Sequence, residues 1–157
     1  MKQIDKLKSE MSKAFDMKDL GAAQQILGMS IVRDRKEKKI WMSQEKYVDR
    51  VLERFNMKNA KPVSTPLANH FKLSSQKSPT SKEGRRRMES IPYASAVGSL
   101  MYAMICTRSD IAHAVGKVSR FLANPGMEHW EVVKWILRYL RGTSKMCLCL
   151  GGEKVAL

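Results

Sequence analysis

Chemistry on a phosphodiester by the two-metal route needs carboxylates that clamp two cations about 4 Å apart, and this sequence has no Asp-Asp or Asp-x-Asp pair that could do so. Its tightest acidic pairs are Asp16 with Asp19 and Asp34 with Glu37. The first flanks an expected helix end and the second sits among Arg33, Arg35 and Lys36, so both read as solvated surface carboxylates. Nucleophilic catalysis fares no better. His113 and Ser119 fall on different faces of one helix, and neither has a carboxylate beside it. His129 stands near a helix start, where capping, packing and titration all remain open. Gly151-Gly152 is an isolated pair, not a phosphate-cradling loop. Cys147-Leu148-Cys149 alternates along an expected strand, but it lacks a second ligand pair and none of His70, His113 and His129 is near it in sequence, so packing is favoured over zinc. These patterns predict no catalytic residue, no metal site and no cofactor within the chain.

What stands out instead is charge. Lys and Arg number 29 against 15 Asp and Glu, a net +14 in 157 residues. A balance that basic points to polyanionic partners, with nucleic acid ahead of an anionic membrane surface. The excess is concentrated in the middle of the chain: residues 58–92 hold 8 basic and 2 acidic side chains, net +6, against net +4 for the longer stretch 1–57. The odd number of cysteines, with no apolar stretch after the charged N-terminus, predicts free thiols in a reducing, intracellular compartment, cytoplasmic or nuclear. No run of about 18 apolar residues is present, so no membrane span is expected, and 43% hydrophobic residues suffice for a core.

The elements that must carry this charge follow from periodicity. Ile4, Leu7, Met11 and Phe15 recur at steps of three and four and predict a helix closed by Gly21. Residues 25–32 read as a strand with Leu27, Met29 and Ile31 on one face. Ile40-Trp41-Met42-Ser43 resumes after a charged loop, which suggests a β-hairpin without an Asn-Gly signal. Ser43 is the expected N-cap of a helix bearing Tyr47, Val48, Val51, Leu52 and Phe55. Residues 58–92 lose periodicity and read as a mobile linker rich in Pro, Ser and Lys that ends in Arg85-Arg86-Arg87. Three amphipathic helices follow, led by Tyr93, Ile111 and Trp130, with breaks at Thr107-Arg108-Ser109-Asp110 and Asn124-Pro125-Gly126. They predict an antiparallel bundle, with Gly142 in the left-handed position after the last helix. Lys145–Leu150 begins a strand with too little chain behind it to find a sheet. The expected fold class is α+β: a helix plus β-hairpin, a linker, and a mainly helical bundle.

The order of these elements and several phrases along them resemble the copia-type retrotransposon reverse transcriptase. The phrases run from Phe15-Asp-Met-Lys-Asp-Leu-Gly21, Ile26-Leu-Gly-Met29 and Met42-Ser-Gln-Glu-Lys-Tyr47 to Val63-Ser-Thr-Pro66 and Tyr93-Ala-Ser-Ala-Val-Gly-Ser-Leu-Met-Tyr102. They continue through Thr107-Arg-Ser-Asp110, Ser119-Arg-Phe121 and His129 to Leu137-Arg-Tyr-Leu-Arg-Gly-Thr143. The resemblance implies that residues 1–57 are the end of the palm with the first thumb helix, 58–92 a linker, 93–143 a thumb/connection bundle, and 144–157 a truncated first strand of a ribonuclease H-like domain. It implies a primer-grip-like hairpin at Leu27, Gly28 and Met29, and magnesium only in the complete enzyme, whose paired aspartates precede these phrases. The family usually has Pro where this chain has Ser109, a change expected to cost rigidity at that corner. A thumb rides on the backbone of a template–primer duplex, so the implied partners are an RNA–DNA hybrid or DNA duplex and the remainder of the Pol polyprotein. Lys117 and Arg120 on one helix, and Lys134, Arg138 and Arg141 on the next, are the candidates for phosphate contact, although the same residues would serve as the wet side of a bundle.

Two other readings compete: a free-standing basic helical module that reads DNA sequence, and a decayed element remnant without a function. Trp130, Glu131 and Val132 suit a base-reading helix poorly. On this sequence, the purified chain mixed with a primed template, nucleotides and magnesium is expected to extend no primer; extension free of contaminating polymerase would reveal a metal site that the spacing hides.

Overall fold

The apolar run at 25–32 does not continue as one strand. Leu27 and Gly28 both take positive φ, 47° and 76°, the combination of a two-residue type I′ turn whose twist matches that of the flanking strands. In the computed structural model, which describes residues 2–151, this turn separates β1 (Gln25–Ile26) from β2 (Met29–Asp34) and sets Ile26 opposite Met29. The expected common face of Leu27, Met29 and Ile31 is corrected accordingly: Met29 is buried, while Leu27 is 74% exposed at the turn. β3 (Lys39–Ser43) returns antiparallel to β2, as the hairpin reading expected. Asp34 builds that second turn in place of an Asn-Gly pair. Its Oδ1 accepts from the amides of Lys36 (2.8 Å) and Glu37 (3.1 Å), and Lys38 takes the left-handed conformation at φ 53°.

The last described element overturns another expectation. β4 (Cys147–Gly151) does find a sheet: it pairs antiparallel with β3 from Ser43↔Cys147 to Lys39↔Gly151, giving the order β1-β2-β3-β4. The partner is more than a hundred residues earlier in sequence, out of reach of any local pattern. Cys147 and Cys149 are exposed free thiols on this strand and not packing residues. Residues 152–157, which fall in the expected final unit, lie outside the described residues.

Four helices share one core. α4 (Tyr93–Cys106), α5 (Ala112–Ser119) and α6 (Met127–Gly142) form the bundle that the periodicity predicts, and α2 (Glu45–Arg54) packs against α4 and α6. Val48, Leu52, Val97, Leu100, Ile111, Val115, Val118, Val133, Ile136 and Leu137 are all nearly inaccessible. Each such side chain contributes about 1.5–3 kcal/mol of burial, and Ala96, Ala103 and Ala114 between them let the helix axes approach closely. Two details differ from expectation. Gln44, not Ser43, is the residue before α2, although Ser43 Oγ accepts from the Glu45 amide at 3.3 Å. Gly142 is the last residue of α6 and not a left-handed cap; a Cβ there would lie 3.0 Å from Pro62, so the position provides room for the 58–66 strap.

Residues 58–92 are not a periodicity-free linker. They contain a 3-10 turn (Ser75–Lys77) and α3 (Lys82–Glu89), whose N-cap Ser81 accepts from the Gly84 amide at 3.0 Å. The rest of the segment lies along the bundle. By contrast, α1 (Lys2–Ala14) forms with the expected stripe but buries none of it: Ile4, Leu7, Met11 and Phe15 are between 39% and 65% exposed. The architecture is α+β, and among the described residues no helix is long and apolar enough to cross a membrane.

The corner between α4 and α5 carries the most connected polar group. Arg108 is 2% exposed. Its Nε and Nη2 donate to the two carboxylate oxygens of Asp110 (3.0 and 2.8 Å), while Nη1 and Nη2 donate to the carbonyl (3.0 Å) and hydroxyl (2.6 Å) of Thr143. Tyr139 donates its hydroxyl to Asp110 at 2.8 Å, with the Arg108 guanidinium 5.6 Å from the ring centre. The bidentate pair brackets Ser109 and fixes the corner that a proline would have fixed. Burial alone would raise the Asp110 pKa; the bonds from Arg108 and Tyr139, with the guanidinium charge, outweigh it and hold the carboxyl below 3.8. A depressed carboxylate contributes stability that is present above its unfolded pKa and lost as pH falls through the folded value. Thermal melts below about pH 4 should therefore show a loss that Asp110→Asn flattens. Arg108→Ala, which orphans the carboxylate, should cost about 3–5 kcal/mol in chemical denaturation.

Candidate nucleic-acid interface

The cationic residues expected to bind phosphate separate into two sites with different fates. On α6, Lys134, Arg138 and Arg141 do share a face at steps of four and three, but that face meets the 58–73 strap. Arg138 Nε donates to the Lys61 carbonyl at 2.7 Å and Arg141 Nε to the Lys58 carbonyl at 2.6 Å. Arg138 also lies over Trp135, 5.1 Å from the ring centre, and Trp135 Nε1 donates to the Thr65 carbonyl at 2.8 Å. Lys134 is half-buried and paired with Glu131 at 2.6 Å. The strap has no regular ladder for its carbonyls, and these arginines supply the donors it lacks.

Lys117 and Arg120 behave differently. They are exposed at the C-terminal end of α5, where the negative end of the helix dipole favours positive charge. His113, one turn earlier, continues the same stripe, and the strap passes alongside with Lys72 and Phe71. The result is a cleft of about 390 Å³ lined by Leu67, Ala68, Asn69, Phe71, Lys72, Leu73, His113, Lys117, Arg120 and Phe121. No acidic side chain lines it, and among the described ion pairs none involves Lys72, Lys117 or Arg120. Lys72 escaped the sequence reading because its position in an aperiodic segment gave it no face; the net +6 of residues 58–92 was the available signal.

Two aromatic groups stiffen the cleft. Phe71 meets His70 and Trp135, with ring centres 4.3 and 5.4 Å away. Phe121 stacks on His129 at 4.0 Å and 18°. His129 itself is fully buried: Nδ1 accepts from the Gly126 amide at 2.8 Å, which leaves Nε2 as the donor to the Ser74 carbonyl at 3.2 Å. Burial pushes its pKa below the ordinary histidine value. Of the three roles open to His129, capping and packing are the ones the structure shows.

Leu27, Gly28 and Met29 line neither the α5 cleft nor the strap contacts of α6. Tyr102 donates its hydroxyl to the Leu27 carbonyl and ties the β1–β2 turn to α4. Its ring packs against Tyr47, 4.9 Å between centres.

In each of the two tightest acidic pairs of the sequence, at least one carboxylate is engaged by other groups. Asp19 pairs with Lys8 at 2.9 Å and accepts from the Gly21 amide at 2.8 Å, and Asp34 is engaged by its own turn. Among the described residues no group of three His, Cys, Asp or Glu side chains could hold a metal ion. These described carboxylates do not fit the pair of ions that polymerisation uses.

A basic helical bundle joined to a small antiparallel sheet is the class of architecture that these observations define. Residues 1–69 match the family of reverse transcriptases (RNA-dependent DNA polymerases). The chain is 72% identical over 150 residues to the retrovirus-related Pol polyprotein from transposon TNT 1-94 of Nicotiana tabacum, covering 96% of this chain and 11% of that protein. It is 34% identical over 157 residues to a putative transposon Ty5-1 protein of Saccharomyces cerevisiae, covering 99% of this chain and 49% of that protein. It is 38% identical over 133 residues to the Pol polyprotein from transposon RE1 of Arabidopsis thaliana, covering 85% of this chain and 8% of that protein. No solved structure gives a significant match. The chain is a homologue of copia-type retrotransposon Pol polyproteins and carries reverse-transcriptase sequence; it spans about half or less of the length of these relatives.

The arginine contacts generate a prediction of their own. Arg138→Ala with Arg141→Ala should speed limited proteolysis within residues 58–73 while the bundle core stays protected; an unchanged cleavage rate would mean that the strap is held by other contacts.

Proposed function

We propose that this chain is the template–primer-holding part of a retrotransposon reverse transcriptase, inactive alone, which grips a nucleic-acid backbone without reading its bases. The observation that carries this reading is the set of unpaired cations on a rigid mount: Lys117, Arg120 and Lys72 around an acid-free cleft, in a homologue of Pol polyproteins. Phosphate recognition needs fixed positive charge more than directional bonds to bases. The turn at Leu27 and Gly28, held by Tyr102, offers exposed backbone at the end of a short hairpin, which suits a primer-seating role. The strap cations Arg138 and Arg141 then act as positioning residues for the cleft wall and not as phosphate contacts.

The exposed stripe of α1 supports a second part of this reading. Ile4, Leu7, Met11 and Phe15 form an apolar stripe that stays largely exposed to solvent. Such a face is a cost in water, and another part of the Pol polyprotein is the partner assigned to it here.

A free-standing module that reads DNA sequence is disfavoured because its best helix is occupied. α6 is buried along Val132, Val133, Ile136 and Leu137, and Arg138 and Arg141 on its cationic side each donate to a strap carbonyl. The choice is tested by salt titration of binding to an RNA–DNA hybrid and to two DNA duplexes of different sequence. Log K should fall linearly with log salt, and Lys117→Ala should reduce the duplex slope by about 0.9. Affinities for the two DNA sequences should agree within about twofold. Absence of binding at low salt, or strong preference for one sequence, would overturn the proposal.

A further inference from the structure

The shape and lining of the α5 cleft carry a more specific inference than backbone affinity. His113, Lys117 and Arg120 form one stripe at steps of four and three, and Lys72 faces them from the strap. The lining also includes Phe71 and Phe121, each half-buried and braced from behind, Phe71 by Trp135 and Phe121 by His129. Cations beside braced aromatic rings are the combination that binds single-stranded nucleic acid, where phosphates meet the charges and unpaired bases meet the rings. The volume of about 390 Å³ lies in the range of sites for small ligands, ~300–1,000 Å³. A duplex, with its bases stacked inside a wide rigid rod, cannot put them into such a recess.

We propose that this cleft is also a subsite for an unpaired nucleotide of a single strand, such as the overhang beside a duplex, with the cations at its rim shared with the duplex backbone and the recess between the rings open to an unpaired base alone. Lys72, Lys117 and Arg120 hold the phosphates, and the Phe71 and Phe121 rings receive the base. The inference rests on the reading of the chain as a nucleic-acid holder, and it fails separately from that reading.

The test uses the full chain with a fluorescein-labelled oligo(dT) and a blunt DNA duplex of equal phosphate number, each titrated by anisotropy at several salt concentrations. The variants are Lys117→Ala with Arg120→Ala, Phe121→Leu, and Arg85→Ala with Arg86→Ala, which removes the same charge from the exposed side of α3. The cleft double variant should weaken oligo(dT) binding tenfold or more and lower its salt slope by about 1.4. The α3 double variant should weaken it clearly less. Phe121→Leu, which keeps apolar bulk over His129, should weaken oligo(dT) binding severalfold with no change in slope, and should leave duplex binding within twofold. Equal losses in the two double variants would overturn the subsite, as would an unaltered oligo(dT) affinity in Phe121→Leu. If the wild-type chain binds the duplex with a steep salt slope and these contrasts are missing, only the subsite is lost. If it binds neither probe at low salt, the holder reading is lost as well.

Discussion

The buried Arg108–Asp110 pair ties together parts of the chain that have no other reason to stay in register. A guanidinium taken out of water is a heavy cost unless its donors are satisfied. Here both carboxylate oxygens of Asp110 and both oxygens of Thr143 accept from it, and the Tyr139 hydroxyl donates a further hydrogen bond to Asp110. The geometry exists only when the α4–α5 corner sits against the last turn of α6. Thr107, next in the same corner, donates to Gln44 at 2.6 Å, the residue that leads from the sheet into α2. The corner therefore joins the bundle at one end and the β3–α2 junction at the other.

The position of the cleft follows from that arrangement. α5 is short, and its direction is set by the corner that precedes it, so the stripe of His113, Lys117 and Arg120 points where the corner sends it. The opposing wall is a strap with little regular structure of its own, and its carbonyls bind to side chains of α6 instead. Arg138, Arg141 and Trp135 each donate to the strap, and His129 holds it again at Ser74. A basic groove with one helical wall and one tethered wall is the outcome. Its lining is basic and, among the described residues, free of acidic side chains.

Stability is spread unevenly along the chain. The four-helix core is close-packed, while β1 has two residues and α1 leaves its apolar stripe in solvent. An isolated amphipathic helix of that length is marginal in water. The sheet holds together through the long β2–β3 and β3–β4 ladders, so its integrity depends on the chain returning from α6 to lay β4 beside β3.

Periodicity in the sequence determined the four core helices and the β2–β3 hairpin, because these depend on spacing within a few turns of chain. The absence of an acidic pair and the excess of positive charge were equally legible, being matters of composition. The family resemblance needed only the order of short phrases. Tertiary structure decided the rest. Whether Arg138 and Arg141 face solvent or a strap depends on where residues 58–66 run, and nothing local fixes that path. The pairing of β4 with β3 closes a loop of over a hundred residues, and a strand pattern does not name its partner. The turn at Leu27 and Gly28 was hidden because its flanking residues are apolar on both sides. Lys72 joined Lys117 and Arg120 only in space, because the packing of the strap against α5 sets these like charges side by side in spite of their mutual repulsion.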